Sequence, residues 1–280
     1  MLALHPRVVE AVWQAVWPRL PKRAVQPHPL GCHRHRVPDR VCFHGILIRL
    51  VTGCSWDVAG RLAHTSESTL RRRRDEWLRA GVFSDLVEEA LAGYDRIIGL
   101  ELEDLAVDGS MHKAPSGGEG TGPNCTDRGR RGWKWSIAAG VDGIPVGWVV
   151  APANRNDCKL LEPTLDSVAA RGLLLEAGSI HLDRGYDYDF VRHACISRGL
   201  RPVIPHRRPD GQGRHKRLTP LGLRWPVERT NSWLTNFGQL RRNTDRYTHQ
   251  RQAALELAIT LIITIKLVKW AGRWQPRTAY

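Results

Sequence analysis

Hydrophobic residues recur at helical spacing over the first eighty positions. Val9, Val12, Trp13, Val16, Trp17 and Leu20 share one face of a helix over residues 9–20 that Pro21 closes. Residues 41–50, VCFHGILIRL, predict a second, largely buried helix that stops at Thr52 and Gly53. Ser55 is placed to cap a short third helix over residues 56–63, and Thr65 or Ser66 to cap a fourth that runs to about Ala80, before Gly81. Leu70, Trp77 and Leu78 are the expected core contacts of that fourth helix. Two short helices joined by a tight turn, the second strongly basic, fit a helix-turn-helix. The acidic stretch from Asp85 to Asp104 reads as a further helix with a solvated face, leading into a linker.

From Leu102 the pattern changes to strands. Leu105, Ala106 and Val107 lead into Asp108-Gly109-Ser110, followed by a polar, Gly-rich loop over residues 115–132. Residues 133–141 and 144–151 are apolar runs joined by Asp142-Gly143, a strong hairpin signal that makes Asp142 a turn residue. A helix is expected over 157–170, a short strand over 179–182, a helix over about 188–198 and a last strand over 202–205. Strand, hairpin, helix, strand, helix, strand is an α/β order with a mixed sheet. Pro226 suits the first turn of another helix, whose Val227 and Leu234, with Phe237 just beyond, mark a buried face that Glu228 borders. The apolar run over 257–268 is interrupted by Lys266 and too short to span a bilayer, so it predicts a buried helix. The expected organisation is a helical DNA-binding domain over 1–82, an acidic helix and linker over 83–101, an α/β domain over 102–248, and a C-terminal helix over 249–280 packing on that α/β domain.

Charge narrows the class of partner. The 280 residues are 42% hydrophobic, enough for a real core, and carry a formal net charge of +14. The balance is +8 over residues 1–80, −6 over 81–104, −1 over 105–183 and +13 over 184–280. Two basic regions flanking a more acidic one favour a polyanionic partner over uniform packaging. The N-terminus has no basic segment followed by an apolar one, and the 6 Cys form no CxxC pair, so a cytoplasmic protein with reduced thiols and no membrane partner is expected. Cys32, His33, His35 and His44 are zinc-capable residue types, but their spacing is not that of the usual structural sites.

Three carboxylates stand out. Asp108 and Asp183 each follow a short apolar strand and precede a Gly-containing turn. Carboxylates at the ends of neighbouring strands can meet in space, and a shared cation offsets their repulsion; each also fits an Asx turn taken singly. Asp187 and Asp189 suit a helix N-terminus. Glu228 gains from the helix dipole in its first turn, and from the edge of the buried face a helix on the sheet would present it to Asp108 and Asp183.

Asp108 in VDGS, Asp183 in LDRGYD, and Glu228 in RWPVERTNSW followed by QLRRNTDR resemble the DDE transposases of bacterial insertion sequences, and more narrowly the insertion-sequence-five group. ILIRLVTGCSWDVAGRL, with the basic helix and Trp77 after it, is similar to the leader domain of that group. The resemblance implies an RNase H-like catalytic domain with flanking helices, in which the first Asp lies on the first strand, the second Asp after the fourth strand and the Glu on a following helix. It implies that Asp108, Asp183 and Glu228 hold two Mg²⁺ ions, for which Mn²⁺ can substitute, and that each step is a phosphodiester hydrolysis or transesterification without ATP. A signature of related transposases is matched by Arg224 and Glu228, while Leu221 and Thr235 stand where its Tyr and Lys would be. Arg71, Arg72, Arg73, Arg74, Arg224, Arg229, Arg241 and Arg242 are the expected DNA contacts, with the basic segment 206–217 and the loop bearing Arg128, Arg130 and Arg131 as further candidates. Trp233 either stacks on a base or packs. The resemblance makes the partners the element's terminal inverted repeats and target DNA, bound by a dimer or larger assembly. A nuclease without strand transfer, or a decayed DNA-binding regulator, are the alternatives.

Overall fold

The computed structural model describes residues 4–22, 36–206 and 223–274. Two compact units share the chain: one takes residues 1–94, 235–243 and 249–280, the other residues 95–234 and 244–248. Cys32, His33, His35, Leu221 and most of the basic segment 206–217 lie outside the described residues.

The first unit is helical. Helix α1 (Pro6–Val16) buries Val8, Val12, Trp13 and Val16, and a single 3-10 turn over Trp17–Arg19 ends it as Pro21 approaches. Helix α2 (Asp39–Thr52) presents Phe43 to Trp13, their rings 5.4 Å apart. It ends at Gly53, whose φ of 71° needs glycine, and a Cβ there would meet the Gly238 backbone at 2.6 Å. Ser55 caps α3 (Trp56–Leu62) by accepting from the Val58 N–H, and Ser66 caps α4 (Glu67–Arg79) by accepting from the Thr69 N–H, both at 3.2 Å. Leu70 and Trp77 are buried as expected and Leu78 is only half-buried. Helix α5 (Val82–Ile97) buries Val82, Phe83, Leu86, Val87 and Leu91 on one face, leaving its acids on the other.

The C-terminal helix corrects the expected organisation. It spans Thr248–Trp274, and from His249 onward it groups with the helical unit. Its Ala253, Ala254 and Leu257 close round one small cavity with Ile46, Leu50, Trp56 and Phe83, so small apolar side chains complete a core that α2, α3 and α5 leave open. Among the described residues no helix is long and apolar enough to cross a membrane.

The second unit is a mixed sheet with helices. Its strands are β1 (Asp104–Lys113), β2 (Gly122–Pro123), β3 (Arg131–Ala139), β4 (Pro145–Pro152), β5 (Ser179–His181) and β6 (Arg201–Val203). Strand β3 runs antiparallel to β1 on one side and to β4 on the other, with β2 pairing its first two residues; β5 and β6 follow beyond β1 in parallel. The hairpin turn falls at Asp142-Gly143, where Gly143 has φ 76° and the Asp142 carboxylate accepts from the Ile144 N–H at 3.0 Å. Helices α6 (Cys158–Ala169), α7 (Asp189–Ile196) and α8 (Trp225–Thr235) complete the unit. One expectation changes: β1 does not end before Asp108 but continues through it to Lys113, because Asp108, Gly109 and Ser110 pair with Ile137, Ser136 and Trp135 of β3. With the two-residue β2 set aside, Asp183 follows the fourth strand and Glu228 lies on a later helix, the mixed α/β arrangement expected of an RNase H-like domain.

Candidate active site

Strand alternation decides what Asp108 meets. Side chains point to opposite faces along a strand, so Asp108, Ser110 and His112 share one face of β1, next to Ile137, Trp135 and Trp133 of β3. His112 stacks on Trp135 with ring centroids 3.7 Å apart, and Trp133 meets Trp135 edge-on at 5.3 Å. Burial pushes the His112 imidazole down to about 3, so it serves here as a neutral ring. Helix α8 covers this face. The Trp135 indole N–H donates to Asn231 Oδ1 at 2.8 Å, and Asn231 Nδ2 donates to Asp108 Oδ2 at 3.1 Å. The Thr230 hydroxyl donates to the Gly143 carbonyl and Arg229 to the Asp142 carbonyl, each at 2.6 Å, tying the same helix to the β3–β4 turn.

The opposite face of β3 holds α6. Thr164 donates to Ser136 at 2.8 Å, and the buried Lys134 ammonium reaches Asp157 at 2.7 Å and the Arg155 carbonyl at 3.0 Å. Asp157 was expected only as a helix start; its carboxylate caps no N–H and is spent on Lys134.

Parallel register brings the second Asp to the first. Ala106 of β1 lies opposite His181 of β5, and the ladder stops there, so Asp108 and Asp183 each stand two residues past the last paired position. Asp183 opens a 3-10 turn over Arg184–Tyr186, and its Oδ1 accepts from the Gly185 N–H at 2.7 Å. Burial pushes the Asp108 carboxyl up to about 6; the Gly109 N–H and the Arg224 guanidinium oppose that rise, and the charges of Asp183 and Asp157 add to it. Burial, with Asp157, Asp108 and Asp183 adding negative charge, likewise pushes the Tyr186 phenol well above its ordinary value. A largely desolvated carboxylate inside β1 and a second just past the end of β5 make an acidic locus that Arg224 only partly offsets.

Glu228 stands apart from that pair. It is an exposed residue of α8, and its carboxylate pairs with Arg224 at 3.0 Å. Among the described residues no three acidic, imidazole or thiol side chains converge as a metal-ligand set. The structure therefore unites Asp108 with Asp183 and holds Glu228 one ion pair away, through an arginine whose charge also acts on Asp108. The chain enters α8 from a fixed point: the Leu223 N–H donates to His181 Nδ1 at 3.0 Å, while His181 Nε2 lies 3.0 Å from Asp104 Oδ1. A carboxylate pair whose charge is unbalanced suits a hard divalent cation with oxygen ligands, and nothing in the donor set favours zinc. His44, the one described member of the zinc-capable group, is exposed on α2.

The expected DNA-contacting arginines separate into two kinds. Arg71 and Arg72 are exposed on α4, and Arg241 and Arg242 are exposed on the helical unit. Arg73 and Arg74 are buried, which overturns their expected role: Arg73 pairs with Asp39 and Glu76, and Arg74 pairs with Asp75 and lies over the Trp56 ring. At 100° per residue, four consecutive arginines cannot share a face, and the inward pair is satisfied by acids of the unit's own helices. Half-buried Arg229 has its guanidinium between Trp225 and Trp233, 4.2 and 4.9 Å from their centroids. Trp233 accordingly packs on Arg229. Arg128 and Arg130 are exposed on the loop ahead of β3, where Asn124 accepts from the Thr126 N–H, and Arg131 is exposed at the first position of β3, paired with β2.

The family model described as "Transposase DDE domain" matches residues 100–263, more than half of the chain, and a second, described as "Putative transposase of IS4/5 family", matches residues 8–87. The chain belongs to the DDE transposases of IS4/5-type insertion sequences. It is 39% identical over 148 residues to the "Putative transposase for insertion sequence element IS402" of Burkholderia cepacia, spanning 51% of this chain and 67% of that relative. Among solved structures, a pre-cleavage Mos1 transpososome aligns over 87% of this chain and 82% of that one at 8% identity and a TM-score of 0.29. A Mos1 transposase paired-end complex with left transposon end aligns over 95% and 88% at 10% identity and a TM-score of 0.27. DDE transposases are metal-dependent enzymes that use divalent ions, in keeping with the Asp108–Asp183 pair.

Proposed function

We propose that this transposase cuts DNA at the terminal inverted repeats of its element and joins the freed 3′ ends to target DNA, with Asp108, Asp183 and Glu228 holding two Mg²⁺ ions. The observation that carries the reading is the strand register that brings Asp183 toward Asp108, where burial and the neighbouring acids outweigh the opposing Arg224 guanidinium and Gly109 N–H. The bound ions would supply a water or 3′-hydroxyl made nucleophilic at neutral pH and neutralise the leaving oxygen. The chain's own residues do the rest. Asp108 is held from a buried strand, Asp183 from a turn that its carboxylate caps, and Glu228 from the exposed side of α8, where it pairs with Arg224 until the bound ions would draw it in. Arg71 and Arg72 on α4, the second helix of the helix-turn-helix, take phosphates at the element's ends, and Arg128, Arg130 and Arg131 take phosphates near the cut. Joining two ends needs at least two protomers, so the working assembly is a dimer or larger on DNA.

The test is a set of Ala variants at Asp108, Asp183 and Glu228, assayed separately for end binding and for cleavage. Each should bind ends nearly as wild type and lose cutting; an Asp183→Ala protein that cuts at the normal rate ends the assignment. Incubation of pre-cut ends with a target plasmid and Mg²⁺ distinguishes the nuclease alternative, since only strand transfer yields joined products. The pairing of Glu228 with Arg224 instead of with the two Asp residues is the observation that favours a decayed copy. That alternative predicts metal-independent binding without nicking.

A further inference from the structure

Asn231 lies in RWPVERTNSW, three residues beyond Glu228, where no local pattern assigns it a role. It is nine-tenths buried, and both ends of its amide are engaged by different elements. The indole N–H of Trp135 is a donor only, so the group facing it must be the amide oxygen. That fixes the amide's orientation without ambiguity: the NH₂ end points to Asp108 and donates to Oδ2. The indole is itself immobilised, with His112 stacked on one side and Trp133 edge-on. A chain of contacts therefore runs from β3 through α8 to β1, and ends on the first carboxylate of the site.

We propose that Asn231 is a positioning residue for metal binding: anchored by Trp135, it orients the Asp108 carboxylate and sets the distance between β1 and the helix that carries Glu228. The inference rests on the metal-holding role given above to Asp108. Two features make it more than helix docking. Docking is already served by Thr230 and Arg229, which bind the β3–β4 turn one and two residues earlier on α8. Asn231 alone of the three donates to a carboxylate, and it is placed three residues after Glu228, one helical turn along, so the same rigid turn carries both groups. With one Oδ2 lone pair engaged by a neutral donor, the carboxylate keeps its charge and presents its remaining lone pairs in a fixed direction. Partners of this kind govern ligand orientation, and their removal weakens metal binding about 10- to 100-fold in well-studied sites.

The test measures equilibrium Mn²⁺ binding by the full chain without DNA, from the electron paramagnetic resonance signal of free Mn²⁺. It compares wild type, Asp108→Ala, Asn231→Leu, Trp135→Phe and the Asn231→Leu/Trp135→Phe double variant, with melting curves for each and with kcat and KM for an end-bearing DNA. Asn231→Leu removes the amide while keeping the branched outline of the side chain. Trp135→Phe keeps an aromatic ring while removing the indole N–H with its five-membered ring, so it tests the same contact where the leucine variant fails to fold. Expected are loss of Mn²⁺ binding in Asp108→Ala, about tenfold or more weakening in Asn231→Leu, and a smaller weakening in Trp135→Phe that adds nothing in the double variant. For both Asn231→Leu and Trp135→Phe, kcat should fall while KM for DNA holds. Loss of binding in Asp108→Ala alongside wild-type Mn²⁺ affinity in folded Asn231→Leu and Trp135→Phe overturns this inference and leaves the proposed function standing. Wild-type Mn²⁺ affinity in Asp108→Ala overturns the metal assignment and this inference with it.

Discussion

Replacing Arg73 by leucine should unfold the helical unit's packing without touching DNA directly, whereas replacing its neighbour Arg72 by alanine should do the reverse. The Arg73 side chain is 5% exposed and pairs with Asp39, with Glu76 at 3.7 Å and with the Val37 carbonyl at 3.4 Å. Removing one partner of a buried ion pair costs about 3–5 kcal/mol when the other is left uncompensated. Here the acids keep a cation, because Arg36 lies 3.1 Å from Glu76 and 3.4 Å from Asp39, which brings the cost to the lower end, about 2–3 kcal/mol. At about 2–4 °C per kcal/mol for a unit of this size, melting should fall by roughly 5–10 °C. Arg72→Ala should change stability by less than about 0.5 kcal/mol, while weakening end binding and lowering the slope of log affinity against log salt by about one. Calorimetry and fluorescence anisotropy at several salt concentrations measure both. An Arg73→Leu protein that melts like wild type but loses salt-dependent DNA binding would refute the reasoning, since it would place Arg73 on phosphate.

The Asp108 carboxyl stands at about 6 in the folded chain against its ordinary 3.8, so its contribution to stability is intact below about pH 4 and is lost as pH rises through 6. In metal-free buffer at pH 7.5, Asp108→Asn should therefore be more stable than wild type by at most about 3 kcal/mol, and the difference should vanish below pH 4; a difference that does not vary with pH contradicts it. Arg229→Ala should destabilise the chain by about 1–3 kcal/mol through loss of two ring contacts and the Asp142 carbonyl bond, with an unchanged salt slope for DNA binding.

Elements governed by local rules were legible in the sequence. Caps at Ser55 and Ser66, the stop at Gly53 and the turn at Asp142-Gly143 follow from nearest neighbours, and the apolar runs mark the order of strands and helices along the second unit. The residue pattern put Asp108 at the end of its strand and not inside it, because strand ends depend on the partner, and β3 begins only at Arg131, beyond a polar, Gly-rich loop. Register across that loop is also what sets Trp135 on the same face as Asp108, so the Trp135–Asn231–Asp108 chain had no local signal beyond Asn231 falling one turn after Glu228. The four arginines show the same limit. Helical geometry says that they must diverge, but only the positions of Asp39, Glu76 and Trp56 say which two turn inward.

A thiolate substituted for a ligating carboxylate prefers softer ions, so exchanging Mg²⁺ for Mn²⁺ reports whether a given carboxylate touches the metal. Single-turnover cleavage of an end-bearing DNA by Asp183→Cys, in Mg²⁺ and then in Mn²⁺, therefore tests the proposed site most directly. Cleavage should be lost in Mg²⁺ and restored in part by Mn²⁺, with wild type active in both. Cutting by Asp183→Cys at the wild-type rate in Mg²⁺ would contradict the claim that Asp183 holds the ion at the point of strand scission.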